Sequence, residues 1–355
     1  MKKKIFHIIP SLTYGGAERQ LLNLVNSQKN FKHIILVLVF LDQDFLRQYN
    51  TDSFRIINCT EYNWIKKIRE SKWLIDKHKP DLIQGWMYHA CLFTCFLSYK
   101  KIPIIWNIRR TDVSLSSLKF VTFIIVRILS KLSYIIPSAI IYCAHSAMNS
   151  HHMIKFNTKK SELIFNGLSL SKNFYFEDKS KSEVIELGFI GRNVAEKNFK
   201  VFIKFLDYLD LNKVKVNVSV VGRGYKKFNS LQTKYHFVKI NFLGEVLNIH
   251  EIYLKIDFLF STSITEGFPN VIAEAMSYGS IPVFTDVGDS KFVASNYGVI
   301  IDSEDAEKIY ESFNKALELR NEDHIRLMAE DIRQKFSQKK TNQLYANVWH
   351  KLLKS

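Results

Sequence analysis

Apolar and polar positions along this chain follow one repeating scheme. A short, nearly unbroken run of Ile, Val, Leu and Phe is followed by a longer stretch in which apolar residues return at helical spacing. In the first half the apolar runs fall at residues 5–9, 33–40, 54–59, 81–84, 102–108 and 139–143. Runs so short and continuous predict strands buried on both faces, the condition of a parallel sheet covered by helices. A polar stretch at 169–182, containing SKNFYFEDKSKS, interrupts the scheme and marks a boundary. The scheme then restarts, with runs at 186–190, 214–221, 238–242, 258–261, 281–284 and 298–301 and helical segments such as 199–209 between them. From residue 306 onward the pattern is helical, and its last helix runs through 342–353. The expectation is two α/β domains, 1–168 and 185–335, with a linker at 169–184 and a terminal helix at 336–355. Whether that helix crosses back to the first domain is left open by the pattern.

Composition changes this picture little. An apolar content of 47% in 355 residues suffices for two cores, and sparse Gly and Pro, at 13 and 6, argue against an elongated linker protein. The four cysteines show neither CxxC spacing nor the density of a disulfide scaffold, so a reduced compartment is expected and structural zinc is not. Lys2, Lys3 and Lys4 precede an apolar run too short for a signal peptide, which reads as the first strand. Charge is more informative. Residues 1–170 hold 24 Lys and Arg against 10 Asp and Glu, whereas residues 171–355 hold 26 against 24. Any anionic partner that this charge serves should meet the first half.

The densest chemical signal is TEGFPNVIAEAMSYGSIPV at residues 265–283. Glu266 falls in a loop after an apolar run, Pro269 suits a first helical position, and Glu274 lies inside the helix that follows. The helix start around Asn270 and Val271 offers backbone N–H groups and a positive dipole end to a phosphate. Carboxylates on either side of such a site are natural acceptors for sugar and ribose hydroxyls, although an acid at a helix start also serves as a plain dipole partner. Other candidates stand where a parallel sheet places its ligand loops. These are Gly15 and Gly16 in Gly-Gly-Ala-Glu, His89 in GWMYHA, Arg109 after IIWNI, Arg192 and Lys197 in GRNVAEKN, and Gly222-Arg223-Gly224. The bland readings are a tight turn for the glycines, a packed or capping histidine, a surface arginine and a solvated basic turn.

Taken together these motifs, in this order along nearly the whole chain, resemble the retaining glycosyltransferases of family 4. The resemblance implies the GT-B fold, two Rossmann-like domains facing across a deep cleft. It implies that Glu266 binds hydroxyls of the donor sugar, that Glu274 binds the ribose, and that Phe268, Pro269, Asn270 and Val271 supply backbone contacts. It further implies that Arg192 and Lys197 neutralise the diphosphate in place of a metal, that His89 approaches the donor sugar, and that Gly15 and Gly16 approach the diphosphate. Arg109 and, near the base, Val246 complete the expected set. Family members carry an acidic residue where Arg223 stands, so the contact made by that loop is open.

The expected activity is transfer of a sugar from a nucleotide-sugar, UDP-sugar favoured, to a glycan or lipid-linked acceptor in polysaccharide biosynthesis, without a metal cofactor. Asp42-Gln43-Asp44 is the rival metal site. Competing readings are a GT-B nucleotide-sugar 2-epimerase and a non-enzymatic basic polyanion-binding protein. A dehydrogenase is disfavoured because no GxGxxG follows the first strand, and nucleic acid is not expected as a partner. Residues 118–136 are aromatic and aliphatic but contain Lys119, Arg127 and Lys131, which suits either a buried helix or one lying in a membrane interface. With the basic first half, this places the protein in the cytoplasm, peripheral on the inner face of an anionic membrane.

Overall fold

The computed structural model describes residues 2–115, 117–168, 184–246 and 248–354. The chain divides into two units, Met1–Gly167 with Gln338–Ser355, and Leu168–Ser337. The linker expected at 169–184 lies, but for Val184, outside the described residues.

The first unit is built on β1 (Lys4–Leu12), β2 (Lys32–Leu41), β3 (Phe54–Asn58), β4 (Leu82–Trp86), β5 (Ile104–Ile108), β6 (Ala139–Tyr142) and β7 (Ser161–Leu163). All neighbours are parallel, in the order β3-β2-β1-β4-β5-β6-β7. The apolar runs become the buried strands, and β4 and β5 are buried along their whole length. The short strand β7 escaped the pattern because it pairs only with β6 and is half-buried, so Ser-Glu-Leu suffices there.

The second unit holds β8 (Ile185–Ile190), β9 (Val216–Val221), β10 (Val238–Gly244), β11 (Phe258–Ser261), β12 (Ile281–Thr285) and β13 (Val299–Ile301), again parallel, in the order β10-β9-β8-β11-β12-β13. Its core is aromatic. Phe202, Phe205, Phe260 and Phe313 are all buried, with the Phe205 and Phe260 rings stacked 4.7 Å apart.

The terminal helix Gln338–Lys354 belongs to the first unit. Its apolar face buries Tyr345 and Trp349 in the cluster formed by Leu21, Leu22, Ile35 and Trp86. The polar atoms of that face are matched as well: Trp349 Nε1 donates to Gln84 Oε1 at 3.0 Å, and Asn107 Nδ2 donates to the Tyr345 hydroxyl at 2.6 Å. Trp349 also lies against a buried histidine pair. Trp86 Nε1 donates to His7 Nδ1 at 3.3 Å, which leaves the proton of His7 on Nε2, facing His33 Nδ1 at 3.0 Å. His33 Nε2 then donates to the Gln28 carbonyl at 3.1 Å. Every link of this relay needs a neutral ring, and burial lowers both pKa values, that of His33 to about 4.

Two expectations follow. Trp349→Ala empties a buried site and should cost about 3–5 kcal/mol, read from urea denaturation, with loss of the first unit's cooperative transition. The histidine pair makes stability pH-dependent. Both rings are harder to protonate folded than unfolded, so their contribution is complete above pH 6.5 and is lost as pH falls below it, through a window that for His33 reaches down to about 4. The slope there should approach about 1.4 kcal/mol per pH unit for each such ring. Melting curves across that range, compared with those of His33→Gln, should show the variant's slope smaller by one proton.

Candidate active site

In a parallel sheet every strand hands the chain to its crossover at the carboxyl edge, and ligands bind where the strand order reverses. In the second unit the reversal lies between β8 and β11. The loop leaving β8 carries Arg192 and Lys197, and the loop leaving β11 carries Glu266, so these three candidates come to one reversal point. Lys197 Nζ donates to Glu266 Oε1 at 2.5 Å, with the lysine side chain 22% and the carboxylate 14% exposed. Ser263 Oγ donates to the same oxygen at 2.8 Å. Both bonds fall on Oε1, so the second oxygen keeps its capacity to accept a hydroxyl. An ammonium has three donors. Lys197 therefore retains two for another anion while holding Glu266.

The two loops are fastened to each other along their backbones. Thr262 Oγ1 donates to the carbonyls of Lys197 and Asn198, at 3.1 and 3.0 Å, and the Ile264 N–H donates to the Glu196 carbonyl at 2.8 Å. Asn198 reverses the chain at φ 46°, closing the 3₁₀ turn Ala195–Lys197 and opening the helix Phe199–Leu211. The loop after β12 closes on the same group: Thr285 Oγ1 donates to the Ser263 carbonyl at 2.5 Å, and Gly288, at φ +60°, passes so close that a Cβ would lie 2.2 Å from the Glu266 carbonyl oxygen. Arg192 is exposed and is not drawn into this lattice of bonds.

The helix Asn270–Ser277 starts one residue later than expected, with Pro269 as its N-cap. Pro269, at φ −79° and ψ 81°, is the centre of an inverse γ-turn, and the Asn270 N–H donates back to the Phe268 carbonyl at 3.0 Å. The expectation that Asn270 offers a free N–H is therefore corrected. Val271, one residue further in, keeps an N–H without an intrahelical partner. Phe268 turns its ring into the core, edge-on to Phe336 at 5.0 Å, so only its backbone faces the loop. Glu274 is half-buried, and the hydroxyl of the fully buried Tyr253 donates to its Oε2 at 2.8 Å. Neither Ser263 nor Tyr253 was among the expected residues. Ser263 was legible as a hydroxyl three positions before the glutamate, whereas Tyr253 reaches Glu274 only through tertiary packing.

The remaining loops meet beside β8. Gly222, at φ +135°, crosses Gly191 so tightly that a Cβ would lie 1.8 Å from its carbonyl oxygen. Arg223 pairs with Glu245 at 2.9 Å, so the acid missing after Gly222 is present on the neighbouring β10 loop, just before the half-buried Val246.

In the first unit the reversal lies between β1 and β4. Gly15 is the N-cap of the helix Gly16–Ser27 after β1, in extended conformation at φ −119°, and the Glu18 carboxylate folds over it. His89 stands in the first turn of the helix Met87–Cys95. Strand and helix join there without a loop, because Met87 takes the turn alone at φ 65°, an uncommon conformation for a side chain of that size. Burial lowers the His89 pKa, so near neutral pH it is a neutral hydrogen-bonding group. Arg109, at the end of β5, bonds Asn166 Oδ1 and the Tyr345 hydroxyl, the latter at 3.1 Å, and lies 4.8 Å over the Trp86 ring. Those contacts tie it to the terminal helix. Asp42 accepts from the N–H groups of Asp44 and Phe45 as a helix cap, and Asp44 pairs with Arg47. Among the described residues no three His, Cys, Asp or Glu side chains are grouped to hold a metal ion.

Comparison with known proteins gives this geometry its context. Residues 171–338 match the family described as glycosyl transferases group 1. Over 291 residues, 78% of this chain and 77% of the relative, the sequence is 25% identical to a Campylobacter jejuni protein. That relative is described as GalNAc-alpha-(1->4)-GalNAc-alpha-(1->3)-diNAcBac-PP-undecaprenol alpha-1,4-N-acetyl-D-galactosaminyltransferase. Anabaena Alr3699/HepE, solved in complex with UDP, superposes with a TM-score of 0.81 at 18% identity, covering 98% of this chain and all of that one. WaaG, a glycosyltransferase involved in lipopolysaccharide biosynthesis, gives a TM-score of 0.69 at 13% identity over 96% and 99% of the two chains. The family match spans almost the whole second unit, and both sheets have the Rossmann-like order of the fold that these structures share. The chain is thus a glycosyltransferase with the two-domain GT-B fold, similar to the family-4 enzymes, and its second unit matches glycosyl transferases group 1.

Proposed function

We propose that this glycosyltransferase retains anomeric configuration and moves a hexose, N-acetylated by preference, from a UDP-sugar to a lipid-linked glycan acceptor. The observation that carries the reading is the Lys197–Glu266–Ser263 group at the β8/β11 reversal, four residues ahead of the helix that starts at Asn270 and bears Glu274. It sets a carboxylate oxygen with spare acceptor capacity beside an ammonium with spare donors. A sugar diphosphate presents the complementary hydroxyls and charge. The printed names of relatives support the same classes: HepE has been solved with UDP-glucose, and the Campylobacter protein is named for a polyprenol diphosphate-linked glycan acceptor.

In this reading Glu266 accepts from sugar hydroxyls and Glu274, oriented by Tyr253, from the ribose. Lys197, with Arg192 swinging in from solvent, stabilises the charge that grows on the diphosphate as the C1–O bond breaks. The acceptor hydroxyl attacks C1 from the face that the diphosphate leaves, and its proton passes to the departing phosphate oxygen. His89, neutral, hydrogen-bonds the donor sugar. Gly15 and Gly16 admit the diphosphate to the helix start behind them, and Pro269, Val271 and Val246 line the site by backbone and packing. The protein's part is positioning and electrostatics.

Glu266→Ala should fold and lose transfer, with kcat/KM down about 10- to 150-fold or more, since one hydrogen bond to a charged group contributes about 1.5–3 kcal/mol. Glu274→Ala should chiefly weaken UDP binding in calorimetry, and Tyr253→Phe should do so more mildly. Near-wild-type turnover in folded Glu266→Ala overturns the assignment. A panel of UDP-, GDP- and ADP-sugars, scored by thermal shift and by product formation with and without acceptor, identifies the donor and separates transfer from 2-epimerisation.

Activity should survive EDTA, because Lys197 and Arg192 supply the cationic charge and Asp42 is occupied as a helix cap. Loss of transfer in EDTA with recovery on adding Mn²⁺ or Mg²⁺ would refute metal independence.

A further inference from the structure

We infer that the amino edge of the first unit's sheet carries an anion site of its own, a groove that takes a soluble ligand bearing a short chain of phosphates. The strands β3, β2 and β1 are neighbours and begin together at this edge, at the opposite end of the sheet from Gly15 and His89. Lys4 of β1 is in register with Lys32 of β2, and Ile34 of β2 with Arg55 of β3. A groove of about 640 Å³ opens there, a size suited to a small-molecule ligand. Its full cations are Lys2, Lys4, Lys29, Lys32 and Arg55, and Asp52 is the acid among them. Lys3, between the first two, pairs with Asp81 at 2.8 Å, but among the described residues none of the five lining cations has an ion-pair partner.

Cations at such an edge have an ordinary use. Helices end where parallel strands begin, and each helix C-terminus carries about half a negative charge. Two long helices end here, Gly16–Ser27 ahead of β2 and Trp64–His78 ahead of β4. Lys2 Nζ donates to the Lys29 carbonyl at 2.7 Å, and Lys4 Nζ to the His78 carbonyl at 2.8 Å, which is that use. It does not absorb the rest. Two helix ends and Asp52 supply about two negative charges, so about three of the five positive charges are left uncompensated. The side chains of Lys29, Lys32 and Arg55 make no hydrogen bond among the described residues.

A second observation points to a ligand. The half-buried His78 ring lines the groove, and its Nε2 is buried with no hydrogen-bond partner among the described residues. A buried ring nitrogen is costly to leave unpaired. Burial, and then the charges of Arg55, Lys77 and Lys4, lower the His78 pKa, which marks a positive field that nothing nearby cancels. An anion whose oxygen is reached by a turn of this ring answers both. Apart from Asp52, the charged groups of the groove only donate, so the ligand is rich in acceptors and carries about three negative charges. A chain of two or three phosphates meets that demand in a groove of this size. Phe31 and His33 line the groove and also pack on Trp349, at 5.1 and 5.8 Å, so an occupant bears on the seat of the terminal helix.

Calorimetry on the full chain at low salt tests this with tripolyphosphate, ATP and citrate, each titrated into wild type and into Lys197→Ala, which lacks the donor site on the transfer reading. Tripolyphosphate should bind both proteins alike and raise their melting temperature. Lys32→Gln/Arg55→Gln should weaken that binding at least about tenfold, as the loss of charge-assisted hydrogen bonds implies, and leave UDP binding unchanged. The two proposals thus fail separately. Both side chains are exposed, and circular dichroism checks that the variant folds. The ring signals of His78 in NMR spectra of wild type should shift with tripolyphosphate and not with UDP, and this readout decides should the variant not fold. ATP bound as tightly as tripolyphosphate, or more tightly, identifies a nucleotide as the source of the phosphates, and weaker binding an inorganic chain. Absence of tripolyphosphate binding, its loss in Lys197→Ala, equal binding of citrate, or equal binding by the folded Lys32→Gln/Arg55→Gln variant overturns the proposal.

Discussion

A parallel strand must be followed by a crossover, so every loop bound for a helix leaves these sheets at the carboxyl edge. Where the winding reverses, between β1 and β4 and between β8 and β11, the two flanking loops run to opposite faces and leave a gap over the strand ends. That constraint places the chemistry before any side chain is chosen. Glu266, Lys197 and Arg192 lie 74 or fewer positions apart along the chain and reach one reversal. Gly15 and His89 flank the other, for the same reason.

What the reversal cannot provide is a fixed geometry, since loops over a gap have no strand partner. The second unit obtains it by bonding loops to one another. Thr262, Ile264 and Thr285 fasten three loops through their backbones, and Gly222 and Gly288 allow approaches that a Cβ would block. The Lys197–Glu266 pair closes this lattice. At 14–22% exposure it is better shielded than a surface pair, yet each partner keeps hydrogen-bonding capacity for a ligand. Rigid support and residual valence in the same groups are what a site needs to bind charge that develops during a reaction.

Among the described residues twelve of the thirteen strands were legible, the central ones because a strand buried on both faces has no polar side to show and the edge strands β3, β10 and β13 because their β-branched and aromatic runs still stand out from any helix pattern. The exception, β7, is an edge strand of only three residues, Ser-Glu-Leu, with no apolar run to read. The Glu266 to Glu274 block was legible because loop, cap and helix are contiguous in sequence. Its finer chemistry was not: an inverse γ-turn at Pro269 takes the Asn270 N–H, and the orientation of Glu274 comes from Tyr253 on another helix. The docking of the terminal helix was equally hidden. Its amphipathic face declares that it covers something, but Trp349 meets Gln84 and Trp86 across some 265 positions of chain, and no local pattern encodes that choice.

The separation of charge between the units argues about division of labour. An anionic donor would by itself favour a basic second unit, yet that unit is slightly acidic overall, with 22 Lys and Arg against 24 Asp and Glu. On the proposed reading two cations, Lys197 and Arg192, would suffice for a diphosphate, because short-range contacts outweigh a diffuse field screened within about 8–10 Å. A diffuse field acts instead on an extended anionic surface, where many weak contacts add. The surplus of the first unit, spread over its helices and interleaved with exposed aromatic rings, has that second form. On the proposed reading the two units would meet negative charge by different physical means, one by a few donors at a point and the other by many cations over an area.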